Sequence, residues 1–210
     1  MAPAGRAARF LVIGVVIAAA FATAAAARGG VLGTGSAAYC DPTASEPFAP
    51  WGDYSAYTLA PGGSFEGGVP AWALSGGADV VLGNEPFYVH GAKDKRSLVL
   101  PAGSSATTPT MCFALGDWHL RFLMRNVGSA SGSLRVSVVV PSLVGGTLTV
   151  LDGGSVSGAG AWAPSPRMAL LLSNVTSLVG TRAVAFRFET VGRGAAYQID
   201  DVYLDPWKCT

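Results

Sequence analysis

Near the C-terminus of this chain, the side chains follow a pattern with a period of two, which is the spacing of residues on one face of a β-strand. Residues 197–204 are rich in apolar, aromatic and β-branched side chains, and Pro206 follows them. This pattern predicts a β-strand that closes the fold. Strict alternation predicts that Asp200 lies on the same inward face as Val202. Asp201 is then expected on the opposite face, solvated or paired with an arginine.

Short segments of the same kind recur about every ten residues through the chain. Segments 120–126 and 134–140 have the clearest alternation, and Gly128 to Gly132 is predicted to join them as a hairpin. No segment after the first 27 residues keeps apolar residues at helical spacing over more than two turns. We therefore expect an all-β protein, either a sandwich or a barrel. The predicted strands are 57–59, 64–66, 71–74, 79–82, 87–90, 97–100, 104–108, 120–126, 134–140, 147–151, 167–172, 182–188 and 197–204. The predicted core contains Leu120, Phe122, Met124, Leu134, Val136, Val138, Val184, Phe186 and Phe188.

Residues 1–27 are typical of a secretory signal. Two arginines precede an apolar run that begins at Phe10, and small residues follow it. We expect cleavage after this segment; the alternative is an uncleaved membrane anchor, because the run reaches about 18 residues. In both cases we expect the body of the protein outside the cytoplasm. Residues 28–56 are expected to form an irregular lead-in that packs on the domain by its aromatic side chains, and residues 57–207 the β-sandwich domain.

Charge argues against a nucleic-acid partner. Without the signal segment, twelve Lys and Arg residues stand against thirteen Asp and Glu residues. The basic cluster from Lys93 to Arg96 is interrupted by Asp94, and we expect it to be a solvated turn. Nucleic-acid binding would require a clustered basic surface. Membrane contact is expected only through the N-terminal segment, if that segment is not cleaved.

Three cysteines, Cys40, Cys112 and Cys209, are expected in an oxidising compartment. Three pairings are possible, and each leaves one thiol free. We expect Cys40 to bond to Cys112, because Cys209 is the penultimate residue and chain ends fray. This disulfide would contribute about 4 kcal/mol by restricting the unfolded chain. No Cys-x-x-Cys or His-x-x-x-His spacing occurs, so the spacing of these residues predicts no zinc site.

Several motifs, taken in order, resemble those of a known family. They are Ser64-Phe65-Glu66, Trp72, Ser97-Leu98-Val99-Leu100, Trp162 and Ile199-Asp200-Asp201-Val202. In this set the chain resembles the jelly-roll carbohydrate-binding modules attached to secreted xylanases and cellulases, within the galactose-binding-like superfamily. The resemblance extends from residue 57 to residue 204. It implies an antiparallel β-sandwich of jelly-roll type, with Trp72 and Trp162 in structural positions.

The same resemblance implies a structural calcium ion. In these modules the Glu of Ser-Phe-Glu and the first Asp of the closing motif hold the ion, which corresponds to Glu66 and Asp200 here. Calcium takes six to eight hard oxygen ligands, and a buried carboxylate is costly unless it is paired, hydrogen-bonded or bound to a metal. The alternative is that each acid accepts hydrogen bonds from nearby backbone groups.

The residues offer little support for catalysis, and we expect no enzymatic activity. Glu66 and Asp200 make a weak case for a glycosidase pair, because both lie in strands expected to close the sandwich. No Gly-x-Ser-x-Gly motif occurs. His90 and His119 lie at predicted strand ends, where we expect surface or hydrogen-bonded residues.

Two aromatic residues are candidates for binding a sugar, which requires exposed aromatic faces and a few fixed polar groups. They are Trp118, which follows Gly116-Asp117, and Tyr88, which lies near Asn84 and Glu85. We expect a secreted, non-catalytic module that binds a glycan or cell-wall polymer. The alternative is a structural or adhesion protein of the cell surface without a sugar site. A groove lined by exposed aromatic and polar side chains favours the first, and a flat sheet face rich in Ser and Thr favours the second.

Overall fold

The fold was analysed in a computed structural model, which describes residues 43–67, 72–113, 119–141, 148–169 and 182–205. These residues form thirteen β-strands and one short 3-10 helix, Ala49–Trp51. The strands are β1 (Thr58–Leu59), β2 (Ala73–Ser75), β3 (Asp79–Leu82), β4 (Arg96–Leu100), β5 (Ser105–Thr107), β6 (Met111–Phe113), β7 (His119–Asn126), β8 (Ser133–Pro141), β9 (Leu148–Val156), β10 (Ala163–Pro164), β11 (Met168–Ala169), β12 (Arg182–Val191) and β13 (Tyr197–Leu204). Within the described ranges, no helix has the length and apolar character needed to cross a membrane.

The strands form two antiparallel sheets. The first has the order β10-β7-β13-β4-β3, with β1 beside β13 and β11 beside β7. The second has the order β2-β5-β12-β8-β9, with β6 beside β12. The two sheets share one apolar core, to which both contribute side chains. The predicted all-β, antiparallel sandwich of jelly-roll type is therefore confirmed.

The core prediction is also confirmed, since all nine predicted residues lie in the apolar cluster between the sheets. Trp72 joins this cluster with an edge-on contact to Phe65 and a stacked contact to Phe188. Its indole Nε1 donates a hydrogen bond of 2.7 Å to the carbonyl of Pro61. Trp72 is thus a structural residue, as the resemblance implied.

The predicted hairpin between residues 120–126 and 134–140 is wrong. β7 belongs to the first sheet and β8 to the second, so the two strands face each other across the core. Each strand is apolar on one side, and these two sides meet in the core that the sheets share. Residues 128–132 therefore cross between the sheets, and a Cβ at Gly128 would collide with the backbone of Gly194 and Ala196.

Two predicted strands are turns or loop instead. Residues 64–66 and 87–90 lie outside the strands. Phe65 has a φ of 58° and Tyr88 a φ of 54°. A left-handed residue interrupts regular strand geometry unless a β-bulge accommodates it, although the side chains around it have the period of a strand.

The closing strand β13 breaks its own alternation. Tyr197 and Ile199 point into the core between the sheets, and so does Val202. Ile199 and Val202 are separated by two residues, whereas strict alternation allows only one between neighbours on the same face. The register with β7 shifts at this point. Asp201 takes a φ of 49° there, which identifies a β-bulge. The prediction that Asp200 shares a face with Val202 is wrong: Asp200 lies on the outer face of the first sheet.

The turn after β1 holds the bulge from one side. The amide of Ala60 donates to the carbonyl of Val202 at 2.8 Å, and the amide of Val202 donates to the carbonyl of Gly63 at 3.1 Å. A Cβ at Gly63 would lie only 2.8 Å from the oxygen of Val202. Glycine is therefore required where the turn meets the strand.

The lead-in covers part of the outer face of the first sheet. Ser45 forms a backbone bridge with Tyr57, and Phe48 packs edge-on against Tyr57 and Tyr203. Leu123 of β7 completes this second apolar cluster. From residue 43 onward, aromatic side chains therefore pack the N-terminal segment against the first sheet.

Asp53 attaches the lead-in to β7 by charge. One of its oxygens accepts hydrogen bonds from the hydroxyl of Tyr57 at 2.7 Å and from Arg121 at 2.5 Å. The other oxygen accepts from the amide of Ser55 at 3.2 Å. Burial alone would raise the pKa of Asp53, but these hydrogen bonds outweigh burial and lower the pKa to about 2.

This pKa predicts a contribution to stability that disappears in acid. Because folding lowers the pKa of Asp53 from 3.8 to about 2, the ionised form stabilises the fold above about pH 4. We expect Asp53→Asn to lower the free energy of unfolding at neutral pH by about 2 kcal/mol. Urea denaturation should show this difference shrinking as the pH falls towards 2.

Asp79→Asn, at an exposed carboxylate on β3, is the control and should change stability little. A loss for Asp53→Asn that is the same in acid as at neutral pH would contradict the assignment.

Candidate functional site

Residues 83–95, which connect β3 to β4, fold over the bulge in β13. The amide of Glu85 donates to Asp200 at 3.2 Å, and the amide of His90 donates to Asp201 at 3.0 Å. This segment, the 83–95 loop, is therefore held by two side chains that lie more than a hundred residues away in sequence. It brings the polar residues of the loop against the outer face of the first sheet.

Glu85 organises the loop from inside. Its side chain is fully buried, and its two carboxylate oxygens accept hydrogen bonds from the amides of Phe87 at 2.5 Å and Val89 at 2.7 Å. These bonds satisfy backbone donors that would otherwise be unpaired in a loop without regular structure. The left-handed Tyr88 lies between the two bonded amides.

Asp200 lies beneath the start of the loop. It is fully buried, and its second oxygen accepts from the amide of Asp201 at 2.9 Å. Burial raises the pKa of Asp200 to about 9, and the charge of Asp201 acts in the same direction. The two backbone hydrogen bonds oppose this shift without cancelling it.

Asp201 is buried as well, which contradicts the expectation of a solvated or arginine-paired acid. The bulge turns its side chain under the 83–95 loop, where it is 1% exposed. One carboxylate oxygen accepts the bond from His90, whereas Oδ1 is buried and has no hydrogen-bond partner. The pKa of Asp201 is raised to about 7, chiefly by burial; the hydrogen bond from His90 opposes the shift, and the charges of Glu85 and Asp94 contribute to it.

His90, Asp94 and Asp201 form a cluster of metal-ligand type. Each offers one ligand atom, and these atoms lie within 4.8 Å of one another. His90 Nδ1 is 2.7 Å from a carboxylate oxygen of Asp94. Among the described residues, no lysine or arginine forms an ion pair with Asp201, Asp200 or Glu85.

Sequence reasoning missed this cluster. The spacing of His90 and Asp94 is visible in the sequence, but the basic residues around Asp94 suggested a solvated turn. The flanking Lys93, Lys95 and Arg96 are indeed exposed, whereas the Asp94 side chain is only 10% exposed. Asp201 reaches the pair only because of the bulge, which no local pattern indicates.

The two histidines have different surroundings. His119 Nδ1 lies 3.0 Å from Asp205, and Arg167 lies 3.6 Å from the same carboxylate. The pair of His90 and Asp94 faces a second carboxylate instead of a cation. The prediction that both histidines are hydrogen-bonded or surface residues is confirmed.

Glu66 and Asp200 hold opposite ends of the 83–95 loop. One oxygen of Glu66 accepts hydrogen bonds of 2.6 Å from the amides of Lys95 and Arg96. Both acids therefore bind backbone amides, which was the alternative to calcium. A carboxylate oxygen has two lone pairs, so these bonds do not exhaust either group and the donor set is compatible with calcium. The shared calcium ion stays a prediction.

Exposed aromatic side chains lie on the same loop. Tyr88 is 51% exposed and Phe87 46% exposed. The ring of Phe87 meets Trp51 of the lead-in edge-on at 4.9 Å between centroids. We call Trp51, Phe87 and Tyr88 the aromatic patch. Trp162 is partly buried and stacks under the guanidinium of Arg125 at 5.1 Å, in keeping with the structural position that the resemblance implied.

The outer face of the second sheet has a different character. One row across it contains Thr107, Arg187, Ser137 and Asp152, which are paired in register. The next row contains Ser105, Glu189, Arg135 and Ser155. Every residue of these two rows carries a hydroxyl or a charged group, and none is aromatic.

Several predictions concern residues outside the described ranges. Trp118, Cys40, Cys209 and the signal segment 1–27 all lie there. Cys112 lies in β6, but its side chain is also outside the described part. The disulfide between Cys40 and Cys112 and the sugar-binding role of Trp118 stay predictions.

Comparison with known proteins gives similar folds and no sequence relative. No protein-family model and no curated protein sequence matches the chain. A family 61 carbohydrate-binding module solved with β-1,4-galactotriose is 17% identical, with a TM-score of 0.42 over 70% of this chain and 96% of the module. A family 22 xylan-binding domain from Paenibacillus barcinonensis is 14% identical, with a TM-score of 0.43 over 70% of this chain and 93% of the domain. A family 11 module from Clostridium thermocellum, solved with a β-1,3-1,4-mixed-linked tetrasaccharide, is 14% identical, with a TM-score of 0.41 over 70% and 94%.

The role of Glu85 predicts a local effect of its removal. Glu85→Ala leaves the amides of Phe87 and Val89 without their acceptors, which should cost about 1 to 3 kcal/mol. Hydrogen exchange should then show faster exchange at these two amides than in the wild type. Glu46→Ala, at an exposed glutamate of the lead-in, is the control and should leave them protected. Unchanged exchange in Glu85→Ala would show that the loop is fixed by other contacts.

Proposed function

We propose that the protein is a secreted, non-catalytic module that binds a glycan through the aromatic patch. The observation that carries this proposal is the exposure of Tyr88 and Phe87 on a loop whose backbone is fixed by a buried acid. Aromatic faces match the apolar face of a pyranose ring, and a surface that is already ordered loses little entropy on binding. Trp118 is proposed as a second contact.

The sequence supports the same proposal. The five motifs that the chain shares with jelly-roll carbohydrate-binding modules occur in the same order, and residues 1–27 have the pattern of a secretory signal. The proposed ligand is a β-linked polysaccharide of a cell wall, because an extended chain can lie across several aromatic rings. Direct recognition would use the rings of the patch together with polar groups beside them.

The patch is tested by titrating the purified protein with soluble xylan, galactan and mixed-linked β-glucan in a calorimeter. We expect one of these polymers to bind. Phe87→Ala and Tyr88→Ala should each weaken that binding by about tenfold or more, because loss of a central aromatic contact costs more than about 1.4 kcal/mol. Trp118→Ala tests the second proposed contact in the same assay.

Val150→Ser is the matched control, since Val150 is an exposed apolar residue on β9 of the other sheet. It should bind as the wild type does. Wild-type affinity in both Phe87→Ala and Tyr88→Ala, or no binding to any polymer, would argue against a sugar site in the patch.

A second candidate function rests on the outer face of the second sheet. Its rows of hydroxyl and charged side chains, without an aromatic ring, are the face expected of a structural or adhesion protein of the cell surface. Arg187 and Glu189 form an ion pair of 3.7 Å on it. This candidate gains support if the protein adheres to cells while the aromatic-patch variants adhere equally well.

A structural calcium ion held by Glu66 and Asp200 is proposed to stabilise the module. At a free calcium concentration 100 times the dissociation constant, binding would stabilise the fold by about 2.7 kcal/mol. With zinc absent throughout, a calcium chelator should therefore lower the melting temperature of the wild type, and Glu66→Gln should melt at the same temperature with and without chelator. Equal chelator sensitivity in Glu66→Gln, or none in the wild type, would refute this site.

A further inference from the structure

We propose that His90, Asp94 and Asp201 bind one divalent transition-metal ion, with Zn²⁺ as the representative ion. Their ligand atoms lie within 4.8 Å of one another, which is close enough for all three to reach a single ion after small side-chain movements. This site is distinct from the calcium site at Glu66 and Asp200 and does not depend on glycan binding.

The unpartnered oxygen of Asp201 points to a missing ligand. The Asp201 side chain is 1% exposed, and its Oδ1 is buried without any hydrogen-bond partner. Leaving such a group unsatisfied is costly, and native structures seldom do so without a reason. Its carboxylate belongs to the same cluster as the paired side chains of His90 and Asp94. A metal ion bound there would take up the free oxygen.

The charge around the cluster also favours a cation. Glu85, Asp200 and Asp201 are all buried, and Asp94 lies beside them. The described residues supply no lysine or arginine to any of these acids. A divalent ion would offset the repulsion between carboxylates that are held together by the loop and the strand.

The histidine determines the class of ion. Calcium and magnesium prefer oxygen ligands, whereas one imidazole nitrogen with two carboxylate oxygens suits zinc and neighbouring transition metals. The ion would replace the proton that His90 Nδ1 and Asp94 share across 2.7 Å. That proton moves to the other ring nitrogen, or to solvent if the imidazole is already protonated.

The geometry leaves one side of the ion open. The His90 side chain is 39% exposed, whereas Asp94 and Asp201 are nearly covered. Three protein ligands leave a fourth tetrahedral position, which water would occupy on the exposed side. Because two ligands come from the 83–95 loop and one from β13, the ion would clamp the loop to the strand.

The test is titration of the full chain, first stripped of metal, with Zn²⁺ by calorimetry and with Co²⁺ by visible absorption. We expect one ion per chain and the absorption of a four-coordinate cobalt site. Loss of an outer-shell partner alone costs metal sites about 10- to 100-fold in affinity. Loss of a ligand in His90→Gln or Asp94→Asn should therefore weaken binding by at least that factor and abolish the cobalt spectrum.

Three variants make the result decisive. His119→Gln changes the other histidine–aspartate pair, which has an arginine as its third partner, and should bind Zn²⁺ like the wild type. Glu66→Gln should also retain zinc binding, which separates this site from the calcium site. Asp201→Asn should weaken binding as the other ligand variants do, and circular dichroism verifies its fold. No binding by the wild type, or equal binding by His90→Gln, overturns the proposal.

Discussion

The β-bulge at Asp201 is the constraint on which the rest of the structure depends. By adding one residue to the closing strand, it lets Ile199 and Val202 both face the core while two acids lie on the outer side. On one flank the bulge is held by the turn at Gly63, and on the other the two acids bind the 83–95 loop. These hydrogen bonds offset the backbone strain of the left-handed Asp201.

Acidic side chains, two of them fully buried, fix the 83–95 loop, whereas backbone pairing fixes the strands. Asp200 accepts a hydrogen bond from a backbone amide at the start of the 83–95 loop. Glu85 accepts one at the centre of the loop, and Glu66 accepts one at its end. Burying a carboxylate without a partner costs free energy, so each buried acid requires hydrogen bonds from amides, a proton or a cation. The same arrangement that orders the exposed aromatic rings also places several acidic groups beneath them.

The sequence predicted the sandwich and its core because both depend on period-two alternation, which is local. Leu120 to Met124 and Leu134 to Val138 follow the alternation, and their inward faces lie where it indicates. Alternation indicates which face is apolar but not which strand is the neighbour, and for this reason the hairpin predicted at residues 128–132 is wrong. It also fails wherever one residue adopts a positive φ, as Phe65, Tyr88 and Asp201 do. The cluster of His90, Asp94 and Asp201 depends on such a residue and on a contact across 111 positions, and neither has a local signal.

The position of β13 in its sheet sets the order in which the molecule can assemble. It is the last of the described strands in sequence, yet it lies at the centre of the first sheet, between β7 and β4. Until it docks, those two strands have no shared partner, and the sheet consists of two separate halves with unpaired inner edges. Pairings of this kind, between residues far apart in the chain, form slowly. We therefore expect the first sheet, its bulge and the contacts made to that bulge to be completed together, late in folding.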